Sequence, residues 1–152
     1  MVEIYLFVNP LGGVCLEIEK EIIQLSVNDK KKIQLRFIPL LNMKTINEFL
    51  SRQHIPINDI KRRNRIFEDL YSAALDYKAA QLQGRKKGRQ LLIGLQKAVA
   101  EDGLAYSPEL SEELLLAAGG DIDMYRKDRQ SDFVKESFQT DQKVARDRKS
   151  VV

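Results

Sequence analysis

Residues 2–8, VEIYLFV, form an almost unbroken apolar and β-favouring run that Asn9-Pro10 closes. A strand with apolar side chains at consecutive positions has no water-facing side, so other elements must cover both of its faces. From Val14 to Val27 the period changes. Cys15, Ile18, Ile22 and Leu25 follow the spacing of one helix face, while Glu17, Glu19, Lys20 and Glu21 turn to water. A polar break over 28–32 leads to IQLRFIPLL, in which Ile33, Leu35 and Phe37 alternate with Gln34 and Arg36. The pattern predicts a βαβ unit with a right-handed crossover and two parallel strands.

Beyond residue 42 the periodicity is helical. Thr45-Ile46-Asn47-Glu48 has the spacing of a capping box and predicts a short helix to about Arg52. Asp59 can cap a long helix with Ile66, Leu70, Ala73 and Tyr77 inward, ending near Gly84. Leu91, Leu95 and Ala98, widened by Leu92 and Val99, give the next helix its buried stripe, with Gly103 as its stop. Ser107-Pro108 opens a further helix that Gly119-Gly120 closes. Asp121 starts a short element to about Arg129, and Ser131 or Asp132 caps a last helix carrying Val134, Phe138 and Ala145 inward. Two parallel strands are a small sheet with both edges open, and no third strand is evident. Lys149 to Val152 would have to begin a strand completed from elsewhere, or the chain is less compact than its length suggests.

A chain of 152 residues with 43% apolar content can bury one core without staples. One Cys and one His exclude an intramolecular disulfide and a multi-cysteine zinc site, so neither metal nor cofactor is expected. The N-terminus lacks a basic n-region and a long apolar h-region, and no stretch approaches the length of a membrane span. A cytoplasmic protein with no membrane partner is the expectation. Net charge is only +3, which argues against nucleic acid. The densest basic stretches, Lys61-Arg62-Arg63-Asn64-Arg65 and Arg85-Lys86-Lys87-Gly88-Arg89, lack the interleaved aromatics of a stacking platform. Arg62, Arg63, Arg65, Arg85, Lys86 and Lys87 read as a solvated face or as contacts to an acidic protein surface. His54 reads as a loop residue, and Glu109, Glu112 and Glu113 as carboxylates placed for a helix dipole.

The segment Asn9-Pro10-Leu11-Gly12-Gly13-Val14-Cys15-Leu16 lies at the carboxyl end of the first strand, where open α/β sheets place their chemistry. A thiol in a first helical turn faces unpaired N–H groups and the positive dipole end, which favour the thiolate. Cys15 also shares a face with Ile18 and Ile22, and on spacing alone a small buried hydrophobe is favoured. Gly12-Gly13 lacks the further glycines of a phosphate-binding motif.

A strand ending in Pro, with a C-x-x-C close behind it that opens a helix, is how DsbA-like members of the thioredoxin superfamily begin. This chain resembles their cytoplasmic branch of FrnE-like proteins and YjbH/SpxH adaptors, whose motif reads approximately D-P-L-C-x-x-C-W. Residues 88–99 resemble the family's helical insertion, and residues 132–146 the helix that returns from it to the sheet. The resemblance implies one domain: a thioredoxin-like βαβ over 1–42, a helical insertion over 43–130, and a returning helix with a truncated end over 131–152. It also aligns the attacking cysteine with Gly12 and the resolving one with Cys15, so dithiol exchange, which needs both, should be absent. The family's cis-proline strand, and the strand and helix beyond it, have no counterpart before Val152. The resemblance implies a binding protein that recognises another protein, a regulator or a protease component, with homo-oligomers through an open sheet edge as a further expectation. The alternative is a thiol-disulfide oxidoreductase or isomerase, or a glutathione-linked transferase, using Cys15 alone.

Overall fold

The computed structural model describes residues 2–12, 21, 22, 24, 25 and 33–148. Strands β1 (Val2–Val8) and β2 (Ile33–Pro39) pair in parallel, with Val2 opposite Ile33 and Val8 opposite Pro39. They are the only strands among the described residues. Glu21, Ile22, Gln24 and Leu25 between them are helical, as the period change requires. Ile22 packs against the core, but Leu25 is 59% exposed rather than inward. It lies only about 60° around the helix from Ile22, on the same face, so its exposure marks where the covering of that stripe ends. Cys15 and Ile18 lie outside the described residues, as do Lys149 to Val152.

The sheet is covered on both faces, which the apolar run in β1 demands. Leu6, Val8 and Phe37 face the main core, whereas Phe7, Ile38 and Leu40 face Ala145 on the other side. The second face is covered by the end of the last helix. Its Gln142 reaches back to the sheet, donating Nε2 to the Pro39 carbonyl (2.7 Å) and accepting from the Leu41 amide (3.1 Å).

Helices fill the rest of the chain: α1 (Met43–Arg52), α2 (Ile60–Gln81), α3 (Arg85–Gln96) continuing as one π-helical turn (Lys97–Glu101), α4 (Pro108–Ala117), α5 (Ile122–Arg129) and α6 (Asp132–Arg148). The cap of the first lies three residues before the expected one. Asn42, not Thr45, is the N-cap: Asn42 Oδ1 accepts from the Thr45 amide (2.9 Å), and Thr45 Oγ1 accepts from the Asn42 amide (3.0 Å). Threonine can close the capping box from the N3 position as glutamate does, so its presence alone does not fix which seat it takes. Asp59, Ser107 and Asp121 cap their helices as their spacing predicts. Ser131 Oγ accepts from the Val134 amide at 3.4 Å at the start of α6.

The long helix α2 is the axis of the helical part. Ala73, Ala74, Ala79 and Ala80 are fully buried, and Leu70 and Tyr77 nearly so. Small residues let neighbouring helices approach closely, and Gly94 of α3 does the same: a Cβ there would come within 2.7 Å of Leu114 Cδ2 in α4. Val134 and Phe138 of α6 complete the main core, with the Phe138 ring 5.3 Å from that of Tyr71.

Candidate functional site

The turn leaving β1 is fixed by hydrogen bonds. Asn9 Oδ1 accepts from the Leu11 amide (2.9 Å), the side-chain-mimicked turn for which asparagine is suited, and the Asn9 carbonyl accepts from the Gly12 amide (3.2 Å). Gln96, 1% exposed at the end of α3, donates Nε2 to the same carbonyl (2.9 Å). Helix α3 thereby anchors the turn across 87 residues of sequence. Pro10 and Leu11 are buried. At Gly12 a Cβ would lie 3.0 Å from both Asn9 Cβ and Cγ, so any larger residue there requires the Asn9 side chain to give way. Gly13, Val14 and Cys15 lie outside the described residues.

Leu11 points into a cleft of about 430 Å³. Phe49 and Gln53 of α1, Ile55, and Arg65, Ile66 and Asp69 of α2 form its nearer walls, and Val99 with residues 103–106 closes it. The π-helical turn places this last segment: the Leu104 amide donates to the Ala98 carbonyl (2.9 Å), and Gly103, at φ +70°, reverses the chain where a side chain would be strained. Burial in the wall raises the Asp69 carboxyl above its ordinary value; Arg65 opposes this and Glu68 adds to it. Sequence reading missed this cleft, whose one local signal was the Gly103-Leu104 stop after an apolar helix.

The two basic stretches occupy opposite ends of α2. Arg62 pairs with Asp59 (3.5 Å) and Arg63 Nη2 lies 3.3 Å from Met43 Sδ. Arg65 is exposed at the cleft. Arg85, Lys86 and Lys87 begin α3, which starts just past the far end of α2. From Arg65 to Gln81 the helix rises about 24 Å, so the six cations do not form one patch. His54 sits in a loop at φ +58°. Glu112 pairs with Arg126 through both oxygens (2.8 and 3.0 Å), which lowers its carboxyl below the ordinary range, while Glu109 lies in the first turn of α4.

A polar cluster that sequence reading did not find lies deep between α2, α4 and α5. Asp76 is 3% exposed. Its carboxylate accepts from Tyr106 Oη, Ser111 Oγ (2.7 Å) and Arg129 Nε (2.5 Å), and Arg129 also donates to Ser72 Oγ (2.8 Å). Burial, then the charge of Asp76, raises the phenols of Tyr106 and Tyr125 far above the ordinary tyrosine range. Burial works against the charge of Arg129, but Asp76 more than offsets it. Tyr106 belongs both to this cluster and to the cleft wall. Nearby, Lys78 and Asp141 form a part-buried pair (2.8 Å) that ties α2 to α6.

Among the described residues no group of acidic, Cys or His side chains could hold a metal ion, and no helix is long and apolar enough to cross a membrane. Comparison with solved structures gives the same fold in a candidate protein disulfide isomerase from Nitrosomonas europaea: TM-score 0.71, 12% identity, covering 95% of this chain and 78% of that one. Among curated proteins, the ClpXP adapter protein SpxH of Bacillus cereus is 30% identical over 161 residues, covering 93% of this chain and 54% of that protein. SpxH of Bacillus subtilis is 26% identical (94% and 53%), and SpxH of Staphylococcus saprophyticus 25% identical (96% and 51%). The chain thus spans about half the length of the curated relatives it matches. The family model described as Thioredoxin matches residues 5–150. The match runs over nearly the whole sequence, and the chain belongs to the Thioredoxin_5 family of the thioredoxin superfamily, with SpxH-like relatives.

Proposed function

We propose that the chain is a cytoplasmic protein-binding module of the adaptor kind, which holds a regulator or other client for delivery to a protease of the ClpXP type. The observation that carries this reading is Gly12. It stands where the resemblance places the attacking cysteine, in a turn otherwise anchored by Asn9 and Gln96. Exchange between dithiol and disulfide needs one thiolate to attack and a second thiol to resolve the mixed disulfide, and glycine offers neither. A turn kept rigid without its nucleophile is suited to contact. The SpxH relatives carry the adapter role in their names, which supports the same reading.

An adaptor accelerates proteolysis by raising the effective concentration of client at the protease, so it needs two contacts and no bond-breaking step of its own. The test is reconstitution with ClpXP. Proteins captured on the immobilised chain from cytosol are supplied as substrates, with and without free chain. Faster degradation of a stoichiometric captured protein when the chain is present is expected. Capture of no stoichiometric partner, or turnover of a model disulfide by the chain alone, contradicts the reading.

A further inference from the structure

We propose that the cleft between the β1 turn, α1, α2 and the 99–106 segment docks a bulky apolar side chain carried on an acidic stretch of the partner protein. This rests on the protein-binding reading above and names the chemistry of the bound segment.

Size comes first. At about 430 Å³ the cleft falls in the ~300–1,000 Å³ range of ligand sites and can admit one or two large side chains. Leu11, Phe49, Ile55, Ile66, Val99 and Leu104 give it apolar walls. Apolar side chains are also exposed on the segments that carry the walls. Leu104 is 52% exposed, Ile57, between Ile55 and α2, is 57% exposed, and Ile60, the first residue of α2, is 66% exposed. An open cleft with an exposed apolar side chain such as Leu104 in its wall suits a polypeptide better than a small enclosed molecule.

Charge sets the sign of that polypeptide. The first six residues of α2 include Lys61, Arg62, Arg63 and Arg65, and its first turn contains no acid. Cations at a helix N-terminus work against the dipole, and although Arg62 pairs with the N-cap Asp59, the dipole does not account for the others. Arg65 is exposed at the rim, where its charge acts on Asp69 of the same wall. Asp69 lies one turn further along the same face of α2 and disfavours a second carboxylate beside it. The apolar group therefore enters while its acidic flanks remain near Arg65.

The probe is a fluorescein-labelled peptide, Gly-Asp-Glu-Leu-Phe-Asp-Glu-Gly, blocked at both ends. Binding is read by anisotropy and by amide shifts of isotope-labelled full chain. Saturable binding that weakens with salt is expected, with shifts concentrated in residues 49–55, 65–69 and 99–106. Replacing Leu-Phe by Ser-Ser, or all four acids by Lys, should weaken it about tenfold or more. Arg65→Glu should weaken the acidic peptide by about tenfold and improve the lysine version, and Leu104→Asp should weaken both. Both positions are exposed, and far-UV circular dichroism confirms that each variant is folded.

Equal affinity for the three peptides, shifts centred on Arg85–Lys87 or the sheet edge, or no binding at millimolar peptide overturns the proposal. So does an apolar dye that fills the cleft without displacing the peptide, which would make it a small-molecule site. If ClpXP delivery succeeds while these peptides fail, the cleft proposal alone is wrong. If the peptides bind as described but delivery fails, the adaptor reading falls and a docking cleft of another binding module remains.

Discussion

The turn at Asn9–Gly12 and the cluster around Asp76 are both held by long-range hydrogen bonds, yet they differ in what they hold. The turn has a glycine where its superfamily resemblance puts a nucleophile, and its bonds fix backbone: Gln96 and Gly12 share the Asn9 carbonyl. The cluster fixes charge. Asp76, Arg129, Tyr106 and Ser111 meet where an unpaired carboxylate would be costly, and together they lock α2, α4, α5 and the 103–106 segment in register. The contrast teaches where rigidity has been retained. Both sets of bonds end on the walls of one cleft, through Leu11 on one side and Tyr106 on the other. On the proposed reading, binding needs that shape more than it needs a thiolate.

The strongest way to break the comparison is Asp76→Ala. It leaves the Arg129 guanidinium part-buried without its counter-ion, and removing one partner of such a pair costs about 3–5 kcal/mol. Denaturant unfolding should show a loss of that order. A loss below about 1 kcal/mol, the range of exposed ion pairs, would mean the cluster is not structural. Alkaline pH should strain the same cluster. Tyr106 and Tyr125 have folded pKa values above the unfolded tyrosine value of about 10. Their stabilising contribution is complete below that value and is lost as pH rises above it, because only the unfolded chain then releases the protons. The tyrosinate absorbance of Tyr106 and Tyr125 should therefore appear only as the fold is lost. Titration of both before unfolding would contradict their burial beside Asp76.

Gln96→Ala tests the turn and should cost less, about 1 kcal/mol, since the Asn9 carbonyl keeps its bond from Gly12. Amide exchange at Leu11 and Gly12 should quicken in this variant; unchanged exchange would show that the turn holds itself. Lys86→Glu, in the first turn of α3 beyond the far end of α2, is the smallest effect expected. Stability should change by no more than about 0.5 kcal/mol, and affinity for the acidic peptide should stay within twofold, in contrast to Arg65→Glu.

Much of this architecture was legible because helix and strand periods differ and caps have chemical signatures. Val134, Phe138 and Ala145 turn inward as their spacing requires, and Pro108 and Asp59 mark helix starts as their backbone chemistry dictates. The cap of α1 was displaced because Thr45 suits both the N-cap and the N3 seat. Asp76 was passed over because an acid on a helix is ordinarily solvated. Its neighbours carried the contrary signal: Ala73 to Tyr77 is a run buried all round, so any acid within it needs partners. Those partners, 30 to 53 residues away, leave no local pattern. The cleft was invisible for the same reason, because its walls come from four separate segments and meet only after the π-helical turn redirects the chain at Gly103. Cys15 was the reverse case. Its position in the sequence drew attention to chemistry, while the described geometry bears on contact.

That separation of thiol from contact is open to one direct experiment. Cys15→Ser and Arg65→Glu, each confirmed as folded, are compared in ClpXP-dependent degradation of the captured client. Contact through the cleft predicts that Cys15→Ser works as the unaltered chain does, whereas Arg65→Glu loses most of the acceleration. The opposite pattern, with delivery abolished by removing the sulfur and indifferent to the charge reversal, would contradict the account.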